Sequence, residues 1–151
     1  MQHDDYSVTS DLLSFMTNVG VVRKLHPEGK LPVKPHPAAV GFEVYPVESG
    51  AVLPQYWKRI PTGITITPPL GTCIRIAPLY WLSNRGVWVS SDVVEPVSST
   101  ELEVLVHNFN STPFFYTPYR PVAQIIFVKI DTPFLRLDED PTFEDSIDFG
   151  L

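Results

Sequence analysis

Hydrophobic and polar positions in this chain alternate over short runs, and proline and glycine cut those runs at close intervals. "GITITP" (63–68) alternates strictly and places Ile64 and Ile66 on one face. "ELEVLVHNF" (101–109) sets Leu102, Val104 and Val106 against Glu101, Glu103, Leu105 and His107. "GFEVYPV" (41–47), "TCIRIAP" (72–78), "GVWVSSDVV" (86–94) and "PFFYTPY" (113–119) read as further strands. "VAQIIFVKI" (122–130) is almost wholly apolar, which predicts a central strand covered on both faces. Short strands at regular spacing with Gly/Pro turns predict an all-β sandwich or barrel. Sixteen prolines, spread along the whole length, leave little room for long helices. The one helical pattern is "SDLLSFMTNVG" (10–20). Ser10 or Asp11 can cap it, Leu12, Leu13, Phe15 and Met16 form its apolar face, and Gly20 can end it. "KLHPEGKLPVKPHPAAV" (24–40) is proline-punctuated and reads as an extended crossing arm.

Composition narrows the class. A chain of 151 residues makes one domain and can bury a core without staples. Its single cysteine, Cys73, cannot form an internal disulfide and sits in an apolar run, so it reads as a buried strand residue. A reducing, intracellular location is expected. No window approaches 18 consecutive apolar residues, so no membrane span is expected. The acidic start "MQHDDYSVTSDLL" lacks the pattern of a secretory leader.

The net charge of −6 is unevenly placed. From Asp131 onward, seven acidic residues face one basic residue, Arg136; before it, ten face ten. The body is neutral, which argues against nucleic-acid binding. The tail is a unit of its own. The chain therefore divides into an N-terminal extension (1–20), a β domain (21–130) and an acidic C-terminal arm (131–151). The arm mixes apolar residues with acids, a composition that orders on a partner.

"RIAPLYWLSNRGVWV" (75–89) breaks the pattern. It begins as a strand, meets Pro78, and then places Leu79, Tyr80 and Trp81 before a polar turn. The block can fill a core or a subunit interface, present a partner-binding patch, or wall a pocket for a stacked ligand.

The order of segments resembles the trimeric dUTPase family, which hydrolyses dUTP to dUMP and pyrophosphate. "VVRKL" resembles its first strand, and "AAVGFEVYP" (38–46) its first motif, A-G-Y-D-L. "RIPTGITITPPLGTCIRIAP" (59–78) resembles the run into its second, which continues P-R-S-G-L. "DVVEPVSST" (92–100) falls at its third, G-V-I-D-x-D-Y-R-G. "VHNFNSTPFFYTPYRPVAQIIFVKI" (106–130) resembles its N-F-N stretch and fourth motif, G-D-R-I-A-Q-L. The resemblance implies an all-β, dUTPase-like jelly roll or barrel with a short N-terminal helix and a C-terminal arm. It also implies a homotrimer with shared active sites.

Carried over by residue, the resemblance puts Glu43 at the first-motif aspartate that serves a magnesium-bound triphosphate. It puts Leu79, Tyr80 and Trp81 at the phosphate-binding Arg-Ser-Gly, and Glu95, followed by Pro96, at the general base. Ser98 stands for the tyrosine under the deoxyribose. In the fourth motif Tyr119, Arg120 and Pro121 replace Gly-Asp-Arg, while Ala123 and Gln124 remain. The glycine-rich fifth motif survives only as Phe149-Gly150. Scaffold positions match while ligand positions change. This resembles the early-region-4 dUTPase-like proteins of adenoviruses, which act on host signalling proteins.

The leading expectation is thus a catalytically silent, viral, dUTPase-fold protein that modulates a host through protein contacts, with no cofactor. Candidate interaction residues are Leu79, Tyr80, Trp81, Phe149 and Leu151; "DFGL" fits one class of PDZ ligand. The alternatives are a divergent magnesium-dependent dUTP hydrolase using Glu95, Glu43 and Gln124, and a structural trimer. For the tail, the reading set against the PDZ pattern is that "FLRL" and "IDFGL" dock on a neighbouring subunit, as family arms do.

Overall fold

The computed structural model describes residues 18–94 and 100–139. Among them the chain forms eleven strands and one helical turn: β1 (Val21–Lys24), β2 (Phe42–Val44), β3 (Gly50–Val52), β4 (Trp57–Pro61), β5 (Ile64–Thr67), β6 (Thr72–Ala77), α1 (Tyr80–Ser83), β7 (Val87–Val89), β8 (Val93–Val94), β9 (Glu103–Asn108), β10 (Phe114–Tyr116) and β11 (Ala123–Lys129). All their pairings are antiparallel. The largest sheet has the order β2-β11-β6-β8; a second has β4-β9-β7; β1-β5 and β3-β10 form two-stranded ribbons. Neighbours in a sheet are far apart in sequence, as in the expected jelly roll.

One core joins the sheets. Ile60, Ile74, Val104, Val106 and Ile125 are at most 1% exposed, which makes them the centre of the fold. Each such side chain contributes about 1.5–3 kcal/mol by leaving water. β9 obeys its alternation, with Val104 and Val106 inward and Glu103, Leu105 and His107 half-buried outward. β5 departs from its one-faced reading: Thr65 is buried as well as Ile64 and Ile66, so both faces are covered. β11 is central as expected, lying between β2 and β6. It is buried at Ala123 and Ile125 and opens to solvent at Val128 and Lys129, so full cover extends over its first part only.

The proline-bounded strands are shorter than the alternation suggests. Pairing of β2 stops at Val44, short of Pro46, and β10 lies between Pro113 and Pro118. "GVWVSSDVV" splits, because β7 pairs with β9 while β8 pairs with β6. The 24–40 segment crosses the body as expected. Its Leu25 N–H donates to the Gly63 carbonyl at 2.8 Å, and Val33 bridges Glu43. The expected helix at 10–20 lies almost wholly outside the described residues. Cys73 is buried on β6, as its apolar surroundings predict.

Candidate functional site

Three strands bring the first candidate group together. Gln124 on β11 lies opposite Glu43 on β2 and opposite Ala77 on β6. Directly opposed residues share a face of the sheet, so the Glu43 carboxylate and the Gln124 amide are neighbours. Gln124 Nε2 donates to the Pro78 carbonyl at 3.0 Å, which fixes the chain where β6 ends and Leu79 begins. Gly41 is required beside this row: a Cβ there would lie 2.5 Å from Gln124 Oε1. Burial, and then the negative charge of Glu43, push the Tyr45 hydroxyl above its ordinary pKa.

Lys30 closes one side. Its ammonium lies 5.2 Å from the Tyr45 ring centroid and 5.1 Å from that of Tyr119. It also donates to the Pro118 carbonyl. The crossing arm is thereby clamped to the 117–121 turn, a contact that no local pattern announces.

The aromatic block does not act as one unit. Leu79 is extended and only 5% exposed, and it belongs to the core. Tyr80 is 77% exposed. Trp81 is half-buried and packs against the core cluster. The expected interaction residue Leu79 is therefore corrected to a core residue, because its side chain has no free face. The turn that follows is helical because the Leu82 and Ser83 N–H groups both donate to the Leu79 carbonyl at 3.0 Å.

A cleft of about 320 Å³ opens beside this turn, lined among others by Trp81, Arg85, Asn110, Phe115, Thr117 and Arg120. Its frame is polar and well tied. Asn110 Nδ2 donates to the Arg85 carbonyl at 2.7 Å. The buried Asn108 amide donates to the Val52 and Thr112 carbonyls and accepts from the Asn110 N–H. Gly86, at φ +81°, meets the Asn110 side chain so closely that a Cβ would lie 2.7 Å from its Oδ1.

A second cleft, of about 580 Å³, is lined by Arg59, Asp92, Val94, Thr100 and Glu103 among others. It adjoins both ends of the 95–99 stretch. Glu95 and Ser98 lie outside the described residues, as do Phe149 and Leu151. Of the arm, Phe134, Leu135 and Leu137 are described and are 80% exposed or more, so the described residues do not cover them.

Among the described residues no group of three His, Cys, Asp or Glu side chains can hold a metal. The Glu43 carboxylate beside the Gln124 amide fits a hydrated magnesium that arrives on a phosphate ligand and keeps most of its waters. It does not fit an all-protein cage. No helix among the described residues is long and apolar enough to cross a membrane.

Comparison with known proteins gives one consistent family. The dUTPase family profile matches residues 28–150. The deoxyuridine 5'-triphosphate nucleotidohydrolase of fowlpox virus is 32% identical over 125 residues, covering 82% of this chain and 85% of that protein. The enzyme of the same name from Antonospora locustae is 29% identical over 121 residues, covering 76% and 81%. Among solved structures, the dUTPase of Staphylococcus aureus phage phi11 superposes with a TM-score of 0.75 at 17% identity, covering 83% of this chain and 100% of that one. The dUTPase of Staphylococcus bacteriophage 80alpha gives a TM-score of 0.76 at 16% identity, covering 82% and 98%. These relatives favour the hydrolase alternative over the silent reading with which the residues led.

Proposed function

Because this chain belongs to the dUTPase family, we propose that its reaction is dUTP hydrolysis to dUMP and pyrophosphate, run from a depleted phosphate site. The observation that supports this is the match over residues 28–150 together with the row that sets the Glu43 carboxylate, Gln124 and Ala77 side by side. In this reading Glu95 removes the proton from the attacking water. Gln124 positions the end of β6 through the Pro78 carbonyl. Glu43 would be the residue that holds a hydrated magnesium, which would supply charge neutralisation at the phosphates. The chain works as a homotrimer.

The phosphate side sets the rate. Leu79 and Trp81 provide no hydrogen-bond donor and no charge where the family has arginine and glycine, apart from the indole N–H. Loss of one preorganised donor costs about 10²–10³-fold in turnover, so slow hydrolysis is expected. The test is pyrophosphate release from dUTP and magnesium by purified protein. Release that Glu95→Gln abolishes supports the proposal; release that it leaves unchanged removes Glu95 from it.

A second reading, a family scaffold without turnover that acts through protein contacts, is favoured by the burial of Leu79 and the bulk of Trp81. Phage 80alpha dUTPase, a structural neighbour, controls transfer of virulence genes by a proto-oncogenic G protein-like mechanism. Here the exposed Tyr80 and the arm residues Phe134, Leu135 and Leu137 would make the contacts. No pyrophosphate, with no dUTP-induced rise in Tm, supports this reading over the first.

A further inference from the structure

We propose that Arg85 and Arg120 form a phosphate-binding subsite in the 320 Å³ cleft, with Trp81 and Phe115 as the wall for the rest of a nucleotide. The inference rests on the nucleotide reading above for the identity of its ligand, and not on turnover.

The cleft has the required charge. Its lining contains two guanidiniums and no carboxylate, in a chain whose net charge is −6. A local field of that sign in an acidic protein selects anions. Both arginines are exposed, so their donors reach solvent and a ligand. Guanidinium forks match phosphate oxygens two at a time, which a lysine cannot do.

The backbone at the two arginines is also held by different means. The Arg85 carbonyl accepts from Asn110 Nδ2, and the adjoining Gly86 carbonyl accepts from the Phe109 N–H at 2.9 Å. The Arg120 turn is tied by Thr117 Oγ1, which accepts from the Tyr119 N–H at 3.2 Å, and by Lys30 on the Pro118 carbonyl. The backbone beneath both side chains is thus set before a ligand arrives, which lowers the ordering cost of binding. The size suits the ligand class: 320 Å³ is at the small end of ligand pockets, which fits a mononucleotide or pyrophosphate and not a strand of nucleic acid. Positive charge missing at residues 79–81 is supplied from two turns beside them.

Isothermal titration with pyrophosphate and with dUMP tests the subsite in wild type, Arg85→Gln, Arg120→Gln and the double variant. Lys34→Gln, which lies outside the cleft lining, is the charge control, and thermal melts check folding. Pyrophosphate should bind wild type and Lys34→Gln alike, more weakly as salt rises. Each arginine variant should bind about 10- to 100-fold more weakly, the loss of a charge-assisted contact, and the double variant should not bind. Failure of wild type to bind either probe at millimolar concentration overturns the proposal. So does wild-type affinity in both single variants at an unchanged Tm. Arginine-dependent pyrophosphate binding without dUTP turnover keeps the subsite and removes the hydrolase. Turnover in a protein whose affinity ignores both arginines does the reverse.

Discussion

β6 and α1 are separated by two residues, Pro78 and Leu79, and they answer to different constraints. In β6, Ile74 and Ile76 are buried between β11 and β8 and the core beneath, and the segment keeps the family's "RIAP". Immediately beyond, Leu79, Tyr80 and Trp81 keep none of the family's side chains, yet the backbone still turns and the core stays filled. A core position asks only for apolar volume, which several residue types satisfy. A phosphate site asks for a donor at a fixed point, which few satisfy. The first kind of position survives divergence better than the second, so shared fold is weaker support for shared chemistry at 79–81 than at 72–78.

Substitutions in the two regions can break or sharpen this contrast. The largest effect is expected from Leu79→Arg, which restores the family's residue. If Leu79 is core, burying the guanidinium there costs several kcal/mol, and urea denaturation will show a large loss of stability. Unchanged stability would mean that the position is an emptied site. Gly86→Ala comes next. A side chain at φ +81° beside Asn110 costs about 1–3 kcal/mol and should also weaken pyrophosphate binding by moving Arg85. Tyr80→Ala is the smallest: an exposed residue changes stability within about 0.5 kcal/mol. A larger loss in Tm that depends on protein concentration would place Tyr80 in the subunit interface.

Much of the fold was legible because alternation and burial are local properties. β5 could be read from six residues, and β9 and β11 from nine each. β4 could not, since Trp57, Lys58 and Arg59 are all exposed and only Ile60 is buried. α1 was hidden because Leu79-Tyr80-Trp81 has no capping residue and no helical periodicity over four residues. Glu43 and Gln124 were legible as separate motif positions, but their adjacency required the β2-β11 register. Arg85 and Arg120 share a cleft through pairings far apart in sequence; Arg85 lay in no motif, and Arg120 was legible only as a replaced fourth-motif position. Of the expected site residues, Glu95, Phe149 and Leu151 lie outside the described residues.

Cys73 gives the scaffold a clock. It is the only sulfhydryl in the chain, it is buried, and it lies opposite Val128 in the β6–β11 pairing. The residue is 9% exposed, so an alkylating reagent reaches it slowly in the folded chain and faster when the structure around it opens. The rate of alkylation therefore reports local opening around β6, at one defined place and without any engineered label.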